Sequence, residues 1–517
     1  MSRIRTILAR EVLDSRGRPT VEAEVHTTSG AMGLAIAPSG AAIGRHEARE
    51  IRDGDPARFA GAGVRRACDH VRRLIAPALQ GADPADQETI DQRMLELDGT
   101  PDKSRLGANA MIAVSMAAAH AAAAERGLQL YEHIADLAGR AGTVELPQPM
   151  VHVLGGGADA GGQLEMRDFL AVPISAPSFR RGVEMIADVC RAVAAELEDR
   201  GRPCRLVADQ GGFAPALASN EEAVEVLAAA IVRAGYKPGP DVSIAVDVAA
   251  GHFAAGPEGY RLEGRTLSAA GMIDLLAEWC RKHPVVSIED ALGEDDWDGW
   301  EELTARLGNR VQLVGDALFA TNPRRLGMAF AERVANAVAI KPNQIGTLLE
   351  TLAVMRAAHD AGYATVVSAR SGETEDTTLV HLAVGAGAGQ IKLGGLTRSE
   401  RLAKYNELMR IEDRLLGVRA AQAGGNVAPS PGRLGARRRR PIPARLLAAT
   451  VYIAITEGME TSRRCFALWL LKDIVGPGGA ASDLAERIRQ LADADFEPEV
   501  REMAGRIYEM IRPGGGE

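Results

Sequence analysis

The sequence predicts an α/β fold in which a (β/α) barrel follows a small N-terminal α+β domain and precedes a helical extension. Three observations carry this reading. Six short β-branched runs recur through the second half of the chain at intervals of roughly 20–40 residues, each ending on or beside a charged residue, a spacing that suits a strand, a loop, a helix and a return. Before them the chain alternates polar and apolar residues and then turns helical. After Gly425 its composition changes altogether.

Residues 1–140 are expected to form the α+β domain. The segment TVEAEVHT alternates as a half-buried strand does, a turn follows at Ser29 and Gly30, and the stretches near 57–79, 84–97 and 107–126 have helical periodicity. The Ala-rich run from Ala108 to Ala124 holds Asn109, Ser115 and His120, which marks a buried helix rather than a membrane span. Between strand and helices lies APSGAAIGRHEA, a small-residue loop around Gly40 and Gly44 that can close over a ligand. The N-terminal MSRIRTILAREVLDSRG is broken by Arg and Glu, unlike a secretory signal.

Residues 141–420 are expected to hold the barrel. Its runs are IAVD ending at Asp247, VVSIED carrying Glu289, VQLVGD ending at Asp316, AVAIK ending at Lys341, VVSAR ending at Arg370 and QIK ending at Lys392. In a (β/α) barrel the C-terminal strand ends converge on one face. Three carboxylates, two lysines and an arginine should therefore meet there. Residues 421–517 begin with the Pro-, Gly- and Arg-rich NVAPSPGRLGARRRRPIPAR, a linker or exposed arm, and continue with helical patterns near 443–473 and 482–512. The run Arg437 to Arg440 is a solvated turn or a phosphate or nucleotide contact.

Composition agrees. At 517 residues the chain exceeds one ordinary core, and a hydrophobic content of 46% with 25% charged residues is that of a globular protein. A net charge of −9 gives no support to nucleic-acid binding. Cys68, Cys190, Cys204, Cys280 and Cys465 form no close pair and no zinc spacing, so a reducing cytoplasm is the expected setting.

The converging residues suggest a chemistry. Three carboxylates on strand ends are costly to hold together without a cation, and oxygen-only ligands favour Mg²⁺ over zinc. Two lysines across the same mouth should disfavour each other's protonation and so provide a base near neutral pH. Such a lysine facing a metal-bound carboxylate can remove the proton α to it. Arg370 and Ser371 offer donors to a phosphate.

The segments SRGRPTVEAEV, LDGT, GANA, SIED, DDWDG, IKPNQIGTLLET, SARSGETEDTT and RSERLAKYNELMRIE resemble enolase, in order and spacing, over residues 1 to about 415. The resemblance implies an enolase-type (β/α)8 barrel with an N-terminal cap domain, a homodimer, and a lyase using two Mg²⁺ on 2-phosphoglycerate. It implies Asp247, Glu289 and Asp316 as metal ligands, Lys341 as the base, Lys392 as a carboxylate contact, and Arg370 with Ser371 as phosphate ligands.

Departures from the family pattern cluster. Where enolases read GDEGG this chain reads ADQGG, so the proton-donating glutamate is replaced by Gln210. Ala369 and Asp159 stand at two family histidines, Asp168 replaces the glutamate of QEF, and Ala42 and Ile43 replace the serine and threonine of the mobile loop. All fall on the half of the site that would handle the departing hydroxyl and a second metal. The pattern resembles the enolase-like carboxyphosphonoenolpyruvate synthases of phosphinate antibiotic pathways. That resemblance implies a phosphorylated or phosphonylated three-carbon acid as substrate and a nucleotide-activated donor. An ordinary enolase in which Asp159 supplies the missing carboxylate, and a non-catalytic binding relative, are the other expectations. No nucleic-acid or membrane partner is expected.

Overall fold

A computed structural model describes residues 2–40 and 44–422. Ala42, Ile43, Cys465, the Arg437–Arg440 run and the helical patterns after 443 lie outside the described residues. Those between 2 and 322, with 333–359 and 363–422, make one compact unit; the helix Pro323–Glu332 and residues 360–362 belong to a second.

The chain opens with an antiparallel sheet of β1 (Ile4–Leu13), β2 (Pro19–Thr27) and β3 (Met32–Ile36). The alternation of β2 works as expected: Val21, Ala23 and Val25 are fully buried, while Glu22 and Glu24 pair with Arg10 across the sheet. The buried face meets the helix Ala108–Arg126 so closely that a Cβ on Gly33 would sit 2.0 Å from the Ala117 carbonyl oxygen. Glycine is thus required there. That helix is buried on nearly every side, and no described helix is long and apolar enough to cross a membrane.

The other helical stretches form as Arg65–His70, running through Val71–Ile75 into Ala76–Leu79, then Gln87–Asp98 and Leu130–Leu137. The first starts later than its periodicity suggests. Residues before it hold only the turn Phe59–Gly61, where Ala60 takes φ 50°. Asp86 caps Gln87–Asp98 by accepting from the Thr89 amide.

One buried carboxylate joins this region to the barrel. Asp91 accepts from Gln87 Nε2 at 2.9 Å and from the Leu349 amide at 2.9 Å, at the start of the helix Leu348–Asp360. Burial pushes it up from 3.8 to about 7. A carboxyl raised in the folded state favours folding fully below its unfolded value, and this contribution is lost as pH rises through the folded one. Asp91→Asn should therefore remove a fall of roughly 2–3 kcal/mol in stability between pH 5 and pH 8, at about 1.4 kcal/mol per pH unit. Denaturant unfolding at several pH values checks this; an unchanged pH slope in the variant would contradict it.

The barrel is closed by eight strands: β4 (Gln148–Gly155), β5 (Asp168–Val172), β6 (Ser243–Asp247), β9 (Val285–Glu289), β10 (Gln312–Gly315), β11 (Ala337–Ile340), β12 (Ala364–Ser368) and β13 (Gln390–Gly394). A two-stranded hairpin, β7 (Tyr260–Leu262) and β8 (Arg265–Leu267), precedes the helix Ala269–Lys282. Met150, Leu170, Val172, Ala245, Val314, Ala337, Ala339 and Val366 fill a buried cluster among the strands. The six charged ends lie at the ends of β6, β9, β10, β11, β12 and on β13.

The barrel is not uniformly parallel. β5 runs antiparallel to both β4 and β6. The link from β4 to β5, residues 156–167, contains only the short turn Ala158–Ala160, too little for a helical crossover. Two consecutive helices, Phe179–Asp199 and Asn220–Arg233, then supply the return to β6. The reversal brings the first residue of β5 to the rim where its neighbours end, so that Asp168 stands opposite Asp247.

Candidate functional site

The rim is built from strand ends in barrel order. Asp247 of β6 pairs in register with Glu289 of β9, and β10, next in the barrel, leads into Asp316. All three carboxylates are buried. Lys392 Nζ reaches between them, 2.6 Å from Asp247 Oδ2, 2.9 Å from Glu289 Oε2 and 3.5 Å from Asp168 Oδ2. Lys341 Nζ donates to Asp316 Oδ2, whose other oxygen accepts from Gln344 Nε2 at 3.4 Å.

These neighbours decide the charges. Burial works against the Lys392 ammonium, but Asp247, Glu289 and Asp168 outweigh it and raise Lys392 above its ordinary value. Mutual depression of the two lysines, expected from their shared mouth, does not occur at Lys392, because carboxylates rather than ammonium groups are its nearest neighbours. Burial, then the charge of Asp247, pushes Glu289 up to about 7. Asp316 is also buried, yet Lys341 holds it below the usual carboxylate range.

An oxygen-only donor set on three neighbouring strands suits a hard divalent cation. Glu289 Oε1 is buried and has no hydrogen-bond partner, which leaves one ligand atom available. The residues present therefore fit Mg²⁺. Among the described residues, one group of three has ligand atoms all within 4.8 Å of one another, and it is His46, Glu294 and Asp295; the barrel carboxylates are interleaved with lysine instead.

The opposite wall holds Arg370 and Ser371. Arg370 is buried, and its guanidinium donates to Glu47 at 2.8 Å and to Asn343 Oδ1 at 3.3 Å. The backbone beneath is braced by Arg401, which donates to the carbonyls of Arg370 at 2.8 Å and Ser371 at 2.9 Å. Glu373 accepts from the Arg370 amide and pairs with Lys404. Arg401 and Lys404, both from RSERLAKYNELMRIE, thus support the Arg370–Ser371 turn.

The altered half of the site is equally ordered. Gln210 is buried, and its amide nitrogen lies 3.4 Å from both oxygens of Asp168. Asp168, despite burial, is held at about 2 by His152, Lys392 and Arg167. Asp159 lies on the turn Ala158–Ala160 with Oδ2 3.4 Å from Arg167 Nε. Ala369 is buried, its amide donating to the Lys392 carbonyl.

The ten candidate catalytic, cation and substrate residues (Lys341, Gln210, Asp168, Asp247, Glu289, Asp316, Arg370, Ser371, Lys392 and Asp159) are thereby placed on this rim or the wall opposite, whereas Ala42 and Ile43 lie outside the described residues. Five more belong with them. Asp290, at φ 44°, accepts from the amides of Asp316 and Ala317 and orients the Asp316 turn. His152 lies 3.4 Å from Asp168. Glu47 pairs with Arg370, Arg401 braces it, and Arg167 stands among Asp159, Asp247 and Ser371. Asp290 and Arg167 adjoin singled-out residues in sequence and were findable; Glu47 and Arg401 reach the site only through tertiary contacts.

Comparison with protein-family models gives two matches. Residues 4–134 match the model described as enolase, N-terminal domain, and residues 143–430 match enolase, C-terminal TIM barrel domain.

Proposed function

Because the chain belongs to the enolase family, we propose that it is a Mg²⁺-dependent lyase-like enzyme that removes the α-proton of a phosphorylated or phosphonylated three-carbon acid. Asp247, Glu289 and Asp316 would hold the cation, which when bound draws charge onto the substrate carboxylate and makes its α-proton acidic. Lys341 takes that proton on Nζ, and the C–H electron pair passes into the carboxylate. Lys392, already held as a cation by its carboxylates, is suited to stabilising negative charge rather than to acting as a base. Arg370 and Ser371 would receive the phosphate.

One observation carries the distinction from an ordinary enolase. Where the resemblance implies an acid for the departing hydroxyl, this chain has Gln210, whose amide is directed at Asp168. An amide has no proton to give at neutral pH. The finer reading is therefore a carboxyphosphonoenolpyruvate synthase-like reaction with a nucleotide-activated donor. Asp159 and Asp168 are the observation that favours the ordinary 2-phosphoglycerate reaction instead, as two carboxyls in the same region. The proposal includes a cytoplasmic homodimer, with domains at 1–140 and 141–420 and an extension at 421–517.

The test is hydrogen exchange. With Mg²⁺ in deuterated buffer, the C2 proton of 2-phosphoglycerate or a close analogue should disappear from the NMR spectrum even where no enol product forms. If no phosphorylated or phosphonylated three-carbon acid exchanges above the buffer rate, the enzyme reading falls and a binding role replaces it.

A further inference from the structure

Arg167 has no part in the proton abstraction, yet its position is tightly specified. Its backbone amide donates to the Asp247 carbonyl at 3.0 Å and its carbonyl accepts from the Gly156 amide at 2.8 Å. The side chain is 18% exposed and stands between the candidate cation ligands and the candidate phosphate wall. Nη2 donates to Ser371 Oγ at 3.3 Å, Nε lies 3.4 Å from Asp159 Oδ2, and Nη1 lies 3.8 Å from Asp247 Oδ2. Only the first of these three is a hydrogen bond, and Nε is buried without a hydrogen-bond partner.

A guanidinium carries five donors in a fixed plane. The charges of Asp247, Asp168 and Asp159 offset the burial of this cation, but its hydrogen-bonding capacity is unmet, with one long bond to a hydroxyl and a buried Nε without an acceptor. A neutral hydroxymethyl group accepts poorly from such a fork; a carboxylate accepts two parallel N–H bonds.

Resting on the proposed function, we propose that Arg167 is a specificity-determining residue that binds a second carboxylate of the substrate, one carried in addition to the metal-bound acid group and the phosphate. The substrate class is thereby narrowed to phosphorylated or phosphonylated acids bearing a further carboxylate where 2-phosphoglycerate has its hydroxymethyl group. Asp159 occupies part of the Arg167 fork and must turn aside. It stands between Gly157, at φ 61°, and Gly161 and Gly162, at φ 87° and 71°, a backbone that glycine allows to rearrange.

Calorimetry on the full chain with Mg²⁺ compares two ligands: 2-phosphoglycerate and 2-(phosphonooxy)malonate, in which the hydroxymethyl group is replaced by carboxylate. Wild type should bind the malonate at least about tenfold more tightly, about 1.4 kcal/mol. Arg167→Gln should lose at least about tenfold more affinity for the malonate than for 2-phosphoglycerate, Arg167→Lys should recover part of that difference, and Asp159→Asn, which frees the fork, should bind the malonate more tightly than wild type. Equal losses for both ligands in Arg167→Gln, or no preference in wild type, would overturn the inference while leaving the proposed function standing. Failure of both ligands to bind wild type would overturn the proposed function as well.

Discussion

Conversion of 2-phosphoglycerate to phosphoenolpyruvate by this protein should be slower by about 10²–10⁴-fold than a typical kcat on the order of 10 s⁻¹. The expectation rests on proton supply. Loss of hydroxide from C3 requires a proton at the departing oxygen, and general acid catalysis contributes about that factor. At the positions that depart from the family pattern no acid stands ready: Gln210 is an amide, the Ala369 side chain has no polar atom, and Asp168 is held at about 2 and so carries no proton near neutral pH. Gln210→Glu should raise the rate by about tenfold or more, since a glutamate buried beside Asp168 would be pushed up by burial and by its neighbour's charge. Growth of the enol absorbance measures both. A wild-type rate near 10 s⁻¹ would show that another group delivers the proton and would restore the plain enolase reading.

Two substitutions at one ion pair should separate metal binding from proton removal. Lys341→Ala removes the proposed base while leaving Asp247, Glu289 and Asp316 in place, so exchange of the substrate C2 proton should fall by about 10³-fold or more. Mg²⁺ affinity should hold or rise, because Lys341 Nζ no longer occupies Asp316 Oδ2. Asp316→Ala should instead weaken Mg²⁺ binding about tenfold or more and suppress exchange with it. Calorimetry with Mg²⁺ alone and NMR in deuterated buffer read the two effects independently. Exchange that survives Lys341→Ala, or unaltered Mg²⁺ affinity in Asp316→Ala, would remove the corresponding residue from the mechanism.

The charge at Lys392 shows where reading side chains as isolated groups goes astray. Two lysines on one rim imply mutual repulsion, but the structure inserts carboxylates within 2.9 Å of Lys392. At such distances the opposite charge dominates over a like charge further away.

The barrel and the charged residues at its mouth were legible in the amino-acid order alone. These are local signals. A β-branched run shows where a strand is, its last residue shows what projects at the rim, and a substitution within a recognisable motif shows what is missing. The tertiary structure alone decided how those groups are partnered. The β5 reversal that sets Asp168 opposite Asp247, the Glu47–Arg370 and Arg401–Arg370 contacts and the underused Arg167 fork depend on chain segments that are distant in sequence or on the direction a strand takes after a short turn. Hydrogen bonds and ion pairs act over about 3–4 Å, and no periodicity along the chain records which residues folding will bring within that distance.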